Sequence, residues 1–370
     1  MTRKVAILGS GNVGKAMAAD LVLKGLEVNL CNSPVSLPEE FRLLLERKEI
    51  ELDDRRKDID GVRSTVKLHK VTTNFEEAVK GADYIMVTVP ATAHKLYFES
   101  TMPYLEDGQT IFIWPGNFGA LLFARMLKEK GVRKDIILAE SDTVSVPSRS
   151  AAPCQVRIVC DCIKFLIATL PAKNVDKVVS DLKLIYPAAE PTDNVMTTSL
   201  SNPNTSVHPA GTLLNAGWVD TLRDDFYLYQ MGTTFSIAKV IRAVYDEIQN
   251  VANAIGVQIL QYPEHTFWER STIMCAYYKA PFDSEHIVAS ASGPSSMKHR
   301  YISEDVPYGM VPIALLGRHF GVPTPIIEAI INLASIINVT DYWKGGRTLE
   351  ELGIAGLSKD ELIKVLESGF

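Results

Sequence analysis

A chain of 370 residues is long for one hydrophobic core, so two domains are expected. Its make-up, 46% apolar and 22% charged with a pI near 5.7, is that of an ordinary globular protein. Basic and acidic residues balance over residues 1–195, the net charge of −6 falls on the remainder, and no basic cluster of the kind nucleic acid requires is present.

The chain opens with KVAILGSGNVGKAMAADLVLKG. The apolar run Val5–Leu8 predicts a strand, and GSGNVG breaks it. A helical pattern follows at once (Val13, Met17, Leu21), with Gly25 placed to stop it. Strand, glycine turn and helix together form the context of a dinucleotide-binding fingerprint. Gly9 permits the tight turn, Gly11 leaves room for a pyrophosphate, and Gly14 lets helix and strand pack closely. Gly9, Ser10, Gly11, Asn12, Val13 and Gly14 are therefore the candidate cradle, although glycines also serve plain turns. The helix N-terminus adds free N–H groups for the phosphates.

Val28–Asn32 reads as a second strand. An acid at its end holds the ribose hydroxyls in NAD-binding versions of this fold; here Asn32-Ser33-Pro34 has none. That leans slightly toward NADP over NAD, the nearest arginine being Arg42. Residues 38–63 read as a helix and a solvated connection, with ELDDRRKD as exposed surface. Thr73 and Glu76 suggest a capping box. Buried strands follow at Tyr84–Val89, Thr110–Trp114 and Ile136–Ala139, alternating with helical patterns. The alternation implies a parallel, doubly wound sheet with the cofactor at the strands' C-terminal edge. Val89, Pro90, Ala91, Thr92, Asn117 and Ser141–Thr143 should lie there, or else are turn residues.

VRIVCDCIKFLIATLP reads as one or two strands added to the sheet, with Cys160 and Cys162 as buried small residues. The five cysteines (31, 154, 160, 162, 275) show no disulfide or zinc spacing. With no apolar run of spanning length, and a first strand too early for a signal peptide, a cytoplasmic protein without membrane or metal is expected. Pro187, Pro191 and TDN mark a boundary, giving domains at 1–194 and 195–370. Beyond it the period is helical: Ile237, Ile241, Val244, Ile248, Ala252 and Ile255 recur up to Gly256. Capping boxes stand at Thr348/Glu351 and Ser358/Glu361.

Two polar clusters interrupt these apolar helices. SLSNPNTSVHPAGTLLNAG holds Asn204, His208 and Asn215. Pro209 suggests a helix starting or kinking there, which would lower the pKa of His208 and leave a neutral base. A histidine packed at the kink is the competing reading. GPSSMKHRYISEDVPYGMVP suggests a loop entering a helix near Pro307. An arginine here suits a carboxylate, and an aspartate suits the fixing of a histidine tautomer. A surface ion-pair loop remains open.

SNPNTSVHPAGTLLNAG, MKHRYISEDVPYG and GRTLEELGIAGL, with GSGNVG at the start, resemble the opine dehydrogenases, the octopine/nopaline dehydrogenase family. The resemblance spans both halves of the chain. It implies a fold of the α/β class, a doubly wound Rossmann-type N-terminal domain followed by an all-helical C-terminal domain. It implies NAD(P)H-dependent condensation of an amino acid with a 2-oxo acid, through an imine, to a secondary amine. It assigns His208 and Asp305 to the proton and Arg300, with Asn204, to the substrate; the Val89-Pro90 edge is suited to flooring the nicotinamide. Small-molecule substrates are the expected partners, and a homodimer is left open. The nearest competitor is a ketopantoate-reductase-like or 3-hydroxyacid dehydrogenase. Members using a lysine at the start of the helical domain differ, because no lysine occurs between Lys183 and Lys239. A non-catalytic dinucleotide sensor is the third reading.

Overall fold

The computed structural model describes residues 3–36, 39–56, 60–268, 274 and 293–370. The chain forms two compact units, Met1–Val195 with Val365–Phe370, and Met196–Lys364. The last six residues cluster with the N-terminal unit.

In the N-terminal unit the strands are Lys4–Leu8 (β1), Glu27–Cys31 (β2), Glu49–Asp54 (β3), Val62–Lys67 (β4), Lys70–Thr72 (β5) and Tyr84–Val87 (β6), then Thr110–Ile113 (β7), Ile137–Ser141 (β8), Ser148–Ala152 (β9), Gln155–Ile158 (β10), Phe165–Leu170 (β11) and Ala189–Pro191 (β12). The main sheet runs β12-β11-β8-β7-β6-β1-β2-β5. Every pairing in it is parallel except β8 with β11. β1, β6 and β7 are buried along nearly their whole length, as an apolar run covered on both faces must be. The chain leaves β1 to one side for β2 and later returns on the other as β6, with Val5 opposite both Val28 and Tyr84. Order therefore reverses at the C-terminal ends of β1 and β6, where ligands of such sheets bind.

Three local expectations change. Glu49–Asp54 and Val62–Lys67 are strands, not part of a solvated connection: β3 and β4 join β10 and β9 in a separate four-stranded sheet. Ile50 and Leu52 are buried while Glu49 and Glu51 are exposed, so the charged residues line its open face. Arg56 reaches inward to the buried Asp20 at 2.7 Å. Of the stretch around Cys160, only β11 joins the main sheet; β10 belongs to the small one. The cap of the short helix Phe75–Val79 is Asn74 rather than Thr73, its side chain accepting from the amides of Glu76 and Glu77. Cys160 and Cys162 are buried, and burial pushes the Cys160 thiol up to about 12. Cys275 lies outside the described residues.

The C-terminal unit is helical. Its long helix, Phe235–Ile255, buries the expected stripe and ends at Gly256 with φ +77°, a left-handed turn that glycine adopts without strain. Glu247 within it is buried because its carboxylate caps the Pro325–Asn338 helix, accepting from the amides of Ile326 and Ile327 at 2.8 and 2.9 Å. No helix among the described residues is long and apolar enough to cross a membrane.

Candidate active site

In the N-terminal unit the glycine turn joins β1 to the helix Asn12–Leu23. Gly9 has φ +111°, and a Cβ there would meet Val89 Cγ1 at 2.6 Å. A Cβ on Gly14 would lie 1.9 Å from the carbonyl oxygen of Gly9, so only glycine lets the helix start this close to the strand. Gly11 is different: a Cβ on it would meet nothing within 4 Å. Its outer side is open backbone beside a helix N-terminus, the shape an approaching pyrophosphate needs. The Thr88 hydroxyl, at the end of β6, donates to the carbonyls of Leu8 and Gly9, both at 3.1 Å, and braces the turn.

Ser10 and Val13 are half-buried and Asn12 is exposed, its Oδ1 accepting from Ser150 N at 3.0 Å. Val89 is buried and Pro90 exposed. Asn117 is buried in a left-handed conformation (φ +46°) just before the helix Gly119–Glu129. Buried Glu140 covers that helix start, accepting from Ala120 N at 2.9 Å. Ser141 and Asp142 are buried within the sheet, where Asp142 accepts from Leu166 N at 2.9 Å. Burial pushes the Asp142 carboxyl up to about 7, against the pull of backbone hydrogen bonds and Lys164.

At the end of β2, Asn32 is buried and its Oδ1 accepts from the Tyr97 hydroxyl. The same hydroxyl accepts from Ser33 N at 3.0 Å. Tyr97 was invisible as a site residue in the sequence, lying 65 positions away.

In the C-terminal unit the helix Pro203–Leu213 starts earlier than expected, with Asn202 as its cap and Pro203 in its first turn. His208 sits in its interior rather than at its N-terminus, so the helix-end argument for a lowered pKa does not apply. Asn204 lies one turn before His208 on the same face and is half-buried, its backbone N–H donating to Asn202 Oδ1 at 3.0 Å. The second cluster forms the short helix Arg300–Ser303, capped by His299, and a π-helical turn Val306–Met310 running into the helix Val311–Phe320.

These elements bring the predicted residues together. His208 Nδ1 and Asp305 Oδ2 are 2.8 Å apart, with 6% and 2% of their side chains exposed. Burial pushes Asp305 up to about 7, while Arg300 works in the opposite direction. Tyr301 stacks on the imidazole, ring centroids 3.6 Å apart and planes 15° from parallel. The other ring nitrogen, Nε2, is 3.1 Å from the Tyr229 hydroxyl, on a second π-helical turn, Leu228–Gly232. Arg300 Nε lies 3.2 Å from Glu304 Oε2 as an ion pair, and 46% of the Arg300 side chain is exposed. Burial opposes its charge, but Glu304 and Asp305 outweigh this and raise its pKa. Tyr229 lies outside both polar motifs, and no periodicity marks a π-helical turn in advance.

One unit holds a buried histidine–aspartate pair and a half-exposed guanidinium, and the other an open glycine turn at a helix N-terminus. A family model described as NAD/NADP octopine/nopaline dehydrogenase, alpha-helical domain, matches residues 191–338. A model for NADP oxidoreductase, coenzyme F420-dependent, matches residues 4–113. An opine dehydrogenase from Arthrobacter sp. (strain 1C) is 32% identical over 366 residues, covering 96% of this chain and 97% of that protein. In fold the chain is similar to an octopine dehydrogenase solved with NADH and L-arginine (TM-score 0.73, 22% identity, 99% and 98% of the two chains). It is also similar to a yersinopine dehydrogenase solved with NADP+ (TM-score 0.67, 14% identity, 99% and 98%). The chain belongs to the opine dehydrogenase family, NAD(P)-dependent oxidoreductases acting on CH–NH donors that reductively condense an amino acid with a 2-oxo acid.

Proposed function

We propose that His208 is the acid–base group of this reaction, Asp305 its counter-charge, and Arg300 the group that grips a substrate carboxylate. The observation that carries this is the buried His208–Asp305 pair at 2.8 Å. A carboxylate on Nδ1 leaves Nε2 as the nitrogen that exchanges protons and steadies the imidazolium once formed. Arg300 pairs with Glu304 through Nε at 3.2 Å and keeps 46% of its side chain exposed, and a guanidinium so placed fits the carboxylate of a 2-oxo acid such as pyruvate or 2-oxoglutarate. Asn204, one turn from His208, is the polar neighbour for the amino acid.

Three proton movements are needed: one off the amine as it attacks the carbonyl, and two onto the oxygen that leaves as water. His208 takes the amine proton and returns it to the departing hydroxyl, and solvent supplies the other. The nicotinamide cofactor, when bound, supplies the hydride that reduces the imine. Gly9, Ser10, Gly11, Asn12, Val13 and Gly14 hold its pyrophosphate, with Val89, Pro90 and Asn117 at the same strand edge. NADPH is accepted at least as well as NADH, because the end of β2 carries Asn32 and Ser33 and no carboxylate to repel a 2′-phosphate.

The test follows NAD(P)H absorbance with a 2-oxo acid, with and without an amino acid. Oxidation only with both substrates is expected. Oxidation with the 2-oxo acid alone identifies a carbonyl reductase, and none with any pair identifies a dinucleotide sensor.

A further inference from the structure

We infer that Tyr229 is the outer member of the proton relay, carrying protons between His208 and the reacting substrate. The inference rests on the acid–base reading of His208 and adds a residue to it. Both ring nitrogens of His208 are engaged, Nδ1 by Asp305 at 2.8 Å and Nε2 by the Tyr229 hydroxyl at 3.1 Å. Tyr301 lies flat against the ring. His208 is only 5% exposed, whereas Tyr229 is half-buried. A proton that enters or leaves at Nε2 meets the phenol before it meets substrate.

The phenol is built in place. Asn215 Nδ2 donates to the carbonyls of Gly211 and Gly232 at 2.7 and 3.0 Å, tying the helix of His208 to the turn of Tyr229. Thr233 Oγ1 donates to the Tyr229 carbonyl at 2.8 Å. A Cβ on Gly211 would meet Leu228 Cδ1 at 3.0 Å, so helix and turn touch where glycine permits it. Single π-helical turns are frequent at functional sites because they re-aim one side chain.

The relay balances. In the dehydration step the imidazolium gives its Nε2 proton to the phenol oxygen. The phenol proton passes to the carbinolamine hydroxyl, whose C–O bond breaks to release water as the nitrogen lone pair forms the iminium, the protonated imine that accepts hydride. His208 ends neutral and Tyr229 unchanged. In the preceding attack, the proton of the adduct's ammonium passes through the phenol to His208 Nε2, and the alkoxide takes its proton from solvent to give the carbinolamine.

The experiment is Tyr229→Phe, measured beside His208→Ala by single-turnover oxidation of NADPH with both substrates in H2O–D2O mixtures. The relay predicts that Tyr229→Phe loses about 10²-fold in rate with substrate KM within about twofold. It also predicts that a curved dependence of rate on deuterium fraction becomes linear, since one of two moving protons is gone. A hydroxyl that merely packs would leave that curve unchanged. An unchanged rate and curve in Tyr229→Phe with His208→Ala inactive overturns the relay and keeps the acid–base reading. Full activity in His208→Ala overturns both. Should Tyr229→Phe fail to fold, 3-fluorotyrosine at position 229 keeps ring and hydroxyl but makes the phenol more acidic. A relay then shifts the pH profile of kcat, and an unshifted profile overturns it.

Discussion

Asp305→Asn isolates the electrostatic part of the proposed dyad. The amide has the shape of the carboxylate and still accepts from Nδ1–H, so neutral His208 keeps its partner and the packing survives. Only the imidazolium loses its counter-charge. At the observed 2.8 Å, attraction between unit charges is about 6 kcal/mol at an effective dielectric near 20. Against this stands the cost of keeping Asp305 ionised in its buried place. Its rise from 3.8 to about 7 corresponds to about 4 kcal/mol. About 2 kcal/mol remains, so kcat should fall by about 30-fold. The assay is cofactor absorbance at saturating substrates, repeated in His208→Ala and in the double variant. Groups working as a unit are non-additive, so Asp305→Asn should cost little once His208 is gone. A kcat within twofold of the parent refutes the reasoning, as does a double variant whose loss is the product of the two single losses.

Gly11→Ala and Gly14→Ala should separate binding from folding. The first puts a methyl into open space at φ −68° and should leave the thermal midpoint unchanged while NADPH affinity falls in a fluorescence titration. The second drives a methyl to 1.9 Å from Gly9 O and should cost about 1–3 kcal/mol or more as the helix is displaced. Asn32→Asp should move cofactor preference toward NADH by repelling the 2′-phosphate; a parent enzyme that already prefers NADH tenfold, about 1.4 kcal/mol, would contradict this. Asp142 stays protonated in the fold to about pH 7, but in the unfolded chain it ionises near 3.8. Over that window the unfolded chain binds fewer protons, so Asp142 makes stability fall as pH rises. Urea midpoints should show Asp142→Asn gaining about 3 kcal/mol over the parent between pH 5 and pH 8. Parallel pH dependences would show that Asp142 is not held protonated.

Much of the fold was written in local patterns. The glycine turn needed only its own residues and the strand and helix beside it, because backbone geometry at Gly9 and Gly14 admits no Cβ. The stripe of Phe235–Ile255 and its stop at Gly256 are likewise local. Two local signals existed and were outweighed. Alternating burial at Glu49–Leu52 has the period of a strand, masked by the charges on its open face. Asn202-Pro203 is a cap followed by a first-turn proline, masked by the more conspicuous His208-Pro209.

Sequence by itself determined which groups are available: a histidine, an aspartate and an arginine in motifs specific enough to name a family. It could not determine their meeting. His208 and Asp305 are 97 positions apart, and nothing in either segment encodes a 2.8 Å separation. That distance comes from packing the helix Pro203–Leu213 against the Arg300–Met310 segment. The Tyr229 contact depends further on a π-helical turn and on Asn215 bridging two carbonyls. A hydrogen bond requires alignment within tenths of an ångström, and only the closed core of the C-terminal unit supplies it.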